Sequence, residues 1–417
     1  MVLFRSISRT YRDAFRGLPR QVWLLAAVEF VNRSGMMVFF FMALYVKERL
    51  GFTDTQAGQV MTAYGVGAIL GVYGGGRLTD RWGAYSVQKL SLLVSGILLL
   101  FLGQASSRAG ILLLMAAQGA AGEALRPANA SAVAALCAAP TRARGYALAR
   151  LATNLGITFG PLVGGFLALR NYSLLFWVDG ATSIAAGLLL MAIIPAARPA
   201  PRPYARPGPA HRGRIPNGSP WRDGPFLRLA GLFFCQGLVF SQLAGAFPVD
   251  LRVHYGLSQS CIGSLLATNT VLILAFEMIL INALSHVPAR RVTAVGSLML
   301  GAGYALMAPG ATYFYAVFTV VVWTFGEMLA IPNFSTLAAE HGNELNRGAY
   351  MGAFGLAFAI AMALGPGLGL LARDHLGREA VWIACGALGT LIAVALRLDR
   401  GHRPIRAGDS DTAPAQA

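Results

Sequence analysis

Charge is what this sequence has least of. Asp, Glu, Lys and Arg make up 12% of its 417 residues, about half the ~25% of an ordinary soluble domain. With 56% hydrophobic residues and a mean hydropathy of +0.57, it cannot cover a water-facing surface and reads as an integral membrane protein. Cysteine is scarce too. Cys137, Cys235, Cys261 and Cys385 lie in or beside apolar runs without CxxC spacing, as small packing residues do. The six histidines form no cluster with ligand spacing, so no metal site is expected. No GxxxxGK[ST] phosphate loop occurs and no nucleophile–base set is apparent, which argues against ATP-driven transport and against an enzyme. No cofactor is expected. Acidic residues are the rarer sign, 18 against 34 basic, for a net charge of +16. The arginines cluster between apolar runs rather than along one amphipathic face, which argues against nucleic-acid binding.

Glycine, by contrast, is abundant at 49 residues, as suits helices that approach closely in lipid. A crossing helix needs about 20 mostly apolar residues. Apolar runs near 21–46, 56–79, 86–106, 110–136, 143–169 and 172–196, then 225–249, 258–286, 292–309, 312–338, 348–372 and 379–398, give an all-α polytopic protein of twelve spans. The expected organisation is a basic N-terminus over 1–20, a six-helix bundle over 21–196 and a Pro/Arg-rich linker over 197–224. A second six-helix bundle over 225–398 and a disordered tail over 399–417 complete it. The basic start resembles a signal peptide, but the run after it is too long and lacks a clear cleavage site, so it is read as a retained first span. With both termini on one side, the other side holds only Lys47, Arg49, Arg108, Arg170, Arg252, Arg373 and Arg378. The positive-inside rule then makes both termini cytoplasmic. "FGPLVGG" (Phe159 to Gly165) in the fifth run is echoed by "LGPGLG" (Leu364 to Gly369) in the eleventh. Each follows an Arg-Gly pair, as duplication of six spans would leave them. Two-half architectures of this kind suit alternating access.

The segment "GGGRLTDRWGAYSVQK" interrupts this pattern. Its glycines are expected to close the second span, and Asp80-Arg81-x-Gly83 to form a short cytoplasmic turn whose charges can latch one conformation. Gly76-x-x-x-Asp80-Arg81-x-Gly83 resembles the loop signature of the major facilitator superfamily, with Ala84 and Tyr85 where two basic residues usually follow. "GITFGPLVGG" resembles the fifth-span motif of that superfamily's drug–proton antiporters and marks Gly156, Gly160, Pro161, Gly164 and Gly165 as a helix-packing motif. That group's fourth-span arginine is replaced by Met115, before Gln118-Gly119, so its proton-handling role does not carry over. "EFVNR" (Glu29 to Arg33) and "GEMLAIP" also resemble segments of the proton-coupled oligopeptide transporters. Asn32 stands where that family has a second glutamate.

Ionisable residues inside a membrane are costly and need a reason. Glu29 with Arg33 and Glu123 with Arg126 have i,i+4 and i,i+3 spacing, so each acid can reach its own arginine. These pairs are expected to line the amino-terminal side of a central cavity, where Arg150 can join them. Glu277 and Glu327 have no cation nearby in their spans, and a carboxyl taken out of water without a counter-charge favours its neutral form. They are the expected proton-coupling groups, with Glu29 and Glu123 as alternatives. Glu327 is preferred because Pro332 can open its helix. Arg33 or Arg126 can still meet one of them across the cavity. Phe39, Phe40, Tyr64, Phe240 and Trp323 are candidate cavity aromatics. The expected function is proton-coupled export of small amphipathic compounds by a monomer in the plasma membrane, in contact with lipid. Proton-coupled import of small peptides is the alternative.

Overall fold

The computed structural model describes residues 17–193, 219–342 and 346–398. The expected tail lies outside the described residues, as do almost all of the basic N-terminus and the linker. Within lipid every backbone N–H and C=O must find its partner inside the chain, and the apolar runs accordingly fold as helices. Among the described residues there is no strand.

The amino-terminal half comprises α1 (Arg20–Ser34), α2 (Val38–Leu50), α3 (Asp54–Trp82), α4 (Ala84–Leu102), α5 (Arg108–Glu123), α6 (Leu125–Leu136), α7 (Ala139–Arg170) and α8 (Ser173–Ile193). The carboxy-terminal half comprises α9 (Gly224–Phe240), α10 (Ala246–Val253), α11 (Gln259–Ala283), α12 (Ala289–Ala305), α13 (Tyr313–His341), α14 (Arg347–Leu376) and α15 (Arg378–Leu398). Side-chain caps fix several starts. Thr53 and Gln56 form a reciprocal capping box ahead of α3, and Ser107, Asp223, Ser258 and Thr312 accept from N–H groups that lack helical partners.

Among the described residues, nine stretches are long and apolar enough to cross a membrane, from Arg20–Leu50 to Arg378–Leu398. Helices α3, α5–α6 and α12 pack among them and are richer in glycine, alanine and polar residues. Large apolar side chains such as Leu113, Phe314 and Leu376 are more than 70% exposed on the outer surface. A water-soluble protein does not leave such a surface uncovered, whereas lipid covers it. Small residues set the helix spacing. On α3, Gly67, Gly71 and Gly75 lie so close to Ala116, Ala120 and Ala124 of α5 and the residue following it that a methyl group would collide with backbone.

Two boundaries differ from the sequence reading. The helix α3 runs through Gly74, Gly75, Gly76 and Asp80 to Trp82, so the expected turn shrinks to Gly83, whose φ of 83° favours glycine. The expected opening at Pro332 is absent, because α13 is continuous across it. The interruptions fall elsewhere: at Gly35–Met37 between α1 and α2, at Ala124 between α5 and α6, and at Ser241–Gly245 between α9 and α10.

The buried apolar residues reveal the shape. One cluster joins the two halves, with Phe41, Met61 and Phe176 from the first and Phe247, Trp323 and Leu370 from the second. Two further clusters stay within single halves: Val22, Leu125 and Leu190 in one, Phe226, Phe334 and Leu396 in the other. The halves therefore share a core at one end of the molecule and have separate cores at the end carrying Gly17 and Leu398.

Candidate functional site

At the shared-core end, charged side chains tie the halves together. Asp54, at the start of α3, pairs with Lys47 of its own half and with Arg373 of α14. Arg373 also lies 3.7 Å from Asp250, which Arg378 holds at 3.0 Å and the Trp382 indole N–H at 3.0 Å. Beside this cluster, Asp374 accepts from the backbone N–H and hydroxyl of Thr55. Glu48 accepts from Arg252, Tyr172 and Gln259, so a second cross-half contact lies alongside. These groups sit at the ends of apolar runs. Lys47, Arg252, Arg373 and Arg378, expected as charges of the outer loops, are thus each paired with an acid, and Asp54 and Asp250 are the acids that Arg373 links across the halves.

Below these contacts α3 and α14 run antiparallel in one register. Gly58 abuts Gly367 and Leu370, and Gly65 abuts Ala363. Three turns further on, the same faces carry Gly76 of α3 and Gly352 of α14, and a methyl group on either would meet nothing within 4 Å. The helices have parted there. The second pair of helices behaves similarly: Gly263 of α11 touches the Pro161 carbonyl, and Gly165 touches Gln259 and Ser260. The two echoed motifs, on α7 and α14, are thus the segments through which each half meets the other.

The remaining glycines of the α7 motif serve a different contact. Gly156, Gly160 and Gly164 fall on one face and lie against Arg33, Met36 and Met37, so α7 is seated on the break between α1 and α2. Pro161 stands inside the helix and leaves it continuous.

Both local ion pairs expected from spacing are present. Arg33 Nε lies 2.9 Å from Glu29 Oε1, and Arg126 lies 3.1 Å from Glu123. Glu29 also accepts from Thr153 of α7 at 3.1 Å and from Asn129 of α6, and Gln88 of α4 donates to Asn129 at 2.6 Å. This network links four helices around a buried carboxylate.

Two expectations need correction. Arg150 does not join the Glu29–Arg33 network; it reaches across the halves to Glu277 at 2.6 Å. Glu277 is therefore paired, by a cation from the other half rather than by Arg33 or Arg126. Glu327 differs: it is half-buried, Asn269 Nδ2 donates to it at 2.9 Å, and no cation pairs with it among the described residues. Asn269 also donates to Thr324 at 3.1 Å, which orients the amide. Among the aromatics, Phe39 and Tyr64 do line a cavity. Phe40 and Trp323 are core residues instead, and the fully buried Trp323 stacks on Tyr304. Phe240 is partly buried against the shared core. Asp80 is exposed at the end of α3, and Arg77 lies 4.3 Å over the ring of Tyr73. Among the described residues no group of three or more His, Cys, Asp and Glu side chains is placed to hold a metal ion.

A carboxylate that the sequence reading passed over is Asp179, in "FWVDGATS" of α8. It is 7% exposed and accepts the N–H groups of Met37 and Val38 at 3.3 and 3.1 Å, capping the start of α2. A lone acid inside an apolar run was the available signal.

Sequence comparison matches the family model described as the Major Facilitator Superfamily to residues 22–366 and 229–416. The multidrug resistance protein MdtH of Aeromonas salmonicida is 26% identical over 372 residues, covering 84% of this chain and 88% of that protein. A Na(+), Li(+), K(+)/H(+) antiporter of Planococcus maritimus is 22% identical over 378 residues, covering 81% and 85%. Among solved structures, an auto-inhibited POT family peptide transporter superposes with a TM-score of 0.75 at 16% identity, over 95% of this chain and 99% of that one.

Proposed function

The chain belongs to the Major Facilitator Superfamily, and from that premise we propose that it is a proton-coupled exporter of small amphipathic compounds. It is an integral membrane transporter rather than an enzyme, as its family and its relatives are transporters. In our reading its helices make twelve crossings, with α1–α2, α5–α6 and α9–α10 each a single crossing interrupted midway. Residues 21–196 and 225–398 are the two rocking halves. Both termini face the cytoplasm of a bacterial inner membrane, the positive-inside assignment, and the protein works as a monomer surrounded by lipid. The ion-pair end is then extracellular and closed, and the parted end is open to the cytoplasm.

One observation carries the coupling assignment. Glu327 is a half-buried carboxyl whose one hydrogen-bonding partner among the described residues is a neutral amide, whereas Glu29, Glu123 and Glu277 each have an arginine. Glu29 and Glu123 keep an arginine of their own half as the halves move, and Glu277 has a cation only while Arg150 of the other half stays against it. An acid held by an amide can take up and release a proton as its surroundings change. The Arg150–Glu277 pair bridges the halves and would break or re-form as they rock. Gly76, Asp80, Arg81 and Gly83 form the latch at the cytoplasmic end: extending the α3–α14 register brings Gly76 opposite Gly352, so the absence of side chains lets the parted ends close. The relatives named for multidrug resistance and for cation/proton antiport, together with the α7 glycine motif, favour export.

Peptide import is the second reading, and the Glu29–Arg33 pair in "EFVNR" favours it. Its motif is incomplete, because Asn32 is an amide where the peptide carriers have an acid. Flux into proteoliposomes with an imposed pH gradient separates the two. Exchange of lipophilic cations for protons supports export, whereas proton-driven dipeptide uptake would replace it.

A further inference from the structure

The cavity that Phe39 and Tyr64 line lies inside the amino-terminal half, beside the break between α1 and α2. It is lined from α1, α4, α5 and α8 by Asn32, Ser95, Gln118, Glu123, Asp179 and Ser183, with Tyr64 of α3 and apolar residues completing the wall. None of its lining residues comes from the other half.

We propose that this cavity binds a monovalent metal cation of the size of sodium or lithium, with Asp179 as its anionic ligand and Gln118 among its oxygen ligands. Charge is the first ground. The charged groups facing the cavity are Arg33 from α1, Glu123 from α5 and Asp179 from α8. Arg33 pairs with Glu29 through Nε and points Nη1 toward the Met36 sulfur, and Glu123 has Arg126. Asp179 makes no ion pair among the described residues, and Arg33, the cation acting on it, is already balanced by Glu29. Both of its backbone bonds go to Oδ2, which leaves Oδ1 to the cavity. The start of α2 offsets part of its charge, roughly half of one unit, so a net negative charge remains in a site 7% exposed.

Oxygen without donors is the second ground, and it is independent of charge. Gln118 Nε2 donates to Ser95 Oγ at 2.7 Å, while Gln118 Oε1 is buried with no hydrogen-bond partner. A buried acceptor is rarely left unmet. Asn32 Oδ1 and Ser183 Oγ, 3.2 Å apart, lie on the same wall. A proton on Asp179 would neutralise the charge but leave the Gln118 oxygen unsatisfied. A small hard cation, which takes several oxygen ligands, answers both. Because Asp179 holds the start of α2 and the cavity abuts Asn32 of α1, the bound ion would brace the break in this crossing.

The proposal stands apart from the proton assignment of Glu327. The test uses the full-length purified protein in detergent. Its unfolding midpoint is followed as sodium or lithium chloride replaces N-methyl-D-glucamine chloride at constant ionic strength and pH. A saturable rise is expected with sodium or lithium, with the half-saturating concentration raised at least tenfold by Asp179→Asn and several-fold by Gln118→Leu. Glu327→Gln should leave the titration unchanged. If Asp179→Asn does not fold, Gln118→Leu and Ser95→Ala carry the comparison. A wild-type midpoint that ignores the change of cation overturns the proposal. So does a rise that Gln118→Leu and Ser95→Ala leave untouched, or one that follows pH alone.

Discussion

Replacing Arg373 with glutamine should open the ion-pair end of the transporter without unfolding either half. Arg373 links Asp54 of the first half to Asp250 of the second. Each acid keeps a cation from its own half when Arg373 is removed: Asp54 retains Lys47, and Asp250 retains Arg378. No carboxylate is stranded, so the loss falls on the balance between conformations rather than on folding. The Arg373 and Asp54 side chains are 10% and 8% exposed, so salt screens the contact little. A hydrogen bond to a charged group contributes about 1.5–3 kcal/mol, which at 1.4 kcal/mol per decade shifts the equilibrium roughly 10- to 150-fold toward the open end. Thr62 reports on this, because it lies at the α3–α14 contact against Gly367. In a background with the four cysteines replaced by serine, a Thr62→Cys thiol should react with a membrane-impermeant maleimide at least tenfold faster when Arg373→Gln is added. Lys47→Gln, which breaks only a contact within one half, should change the rate by no more than about threefold. Equal acceleration by both changes, or none by Arg373→Gln, would refute the assignment of Arg373 as the tie between halves.

Three further outcomes are expected. Arg33→Ala should lower stability by about 3–5 kcal/mol, because it leaves Glu29 buried without its cation; thermal unfolding beside Arg33→Lys measures this, and a wild-type midpoint for Arg33→Ala would contradict the pairing. Gly76→Leu should leave the amount of folded protein near wild type, since a Cβ there meets nothing within 4 Å in this conformation, yet cut transport at least tenfold by preventing closure against Gly352. Flux at matched membrane level decides it, and normal flux would remove the α3–α14 register from the cycle. Asp80→Asn should also impair flux at normal membrane level, and wild-type rates would remove Asp80 from the latch.

The sequence made legible what is periodic or local. Long apolar runs mark the helices because nothing else satisfies the backbone in lipid, and the Glu29–Arg33 and Glu123–Arg126 spacings fixed pairs that a single helix face dictates. Contacts across the fold were not legible. Arg150 and Glu277 are 127 residues apart, and no spacing rule joins them. The helix breaks were hidden because Gly35 and Ala124 look like other small residues in glycine-rich runs. The position of the first follows from neighbours: Thr182 of α8 crowds Gly35, and Asp179 supplies the cap that lets α2 begin. Pro332, the more obvious breaker, is accommodated within α13. Asp54 and Asp250 sit at the ends of runs, where an acid reads as a loop charge until the opposite half is placed against it.

The central claim, that Glu327 carries the coupling proton, is tested most directly in one paired flux measurement on Glu327→Gln in proteoliposomes. Glutamine keeps the shape and an acceptor for Asn269, but it cannot exchange a proton. Transport driven by an imposed pH gradient should fall at least a hundredfold, while substrate exchange without a gradient stays within a few-fold of wild type. Full gradient-driven transport by Glu327→Gln would contradict the claim and return the coupling site to Glu29, Glu123 or Glu277.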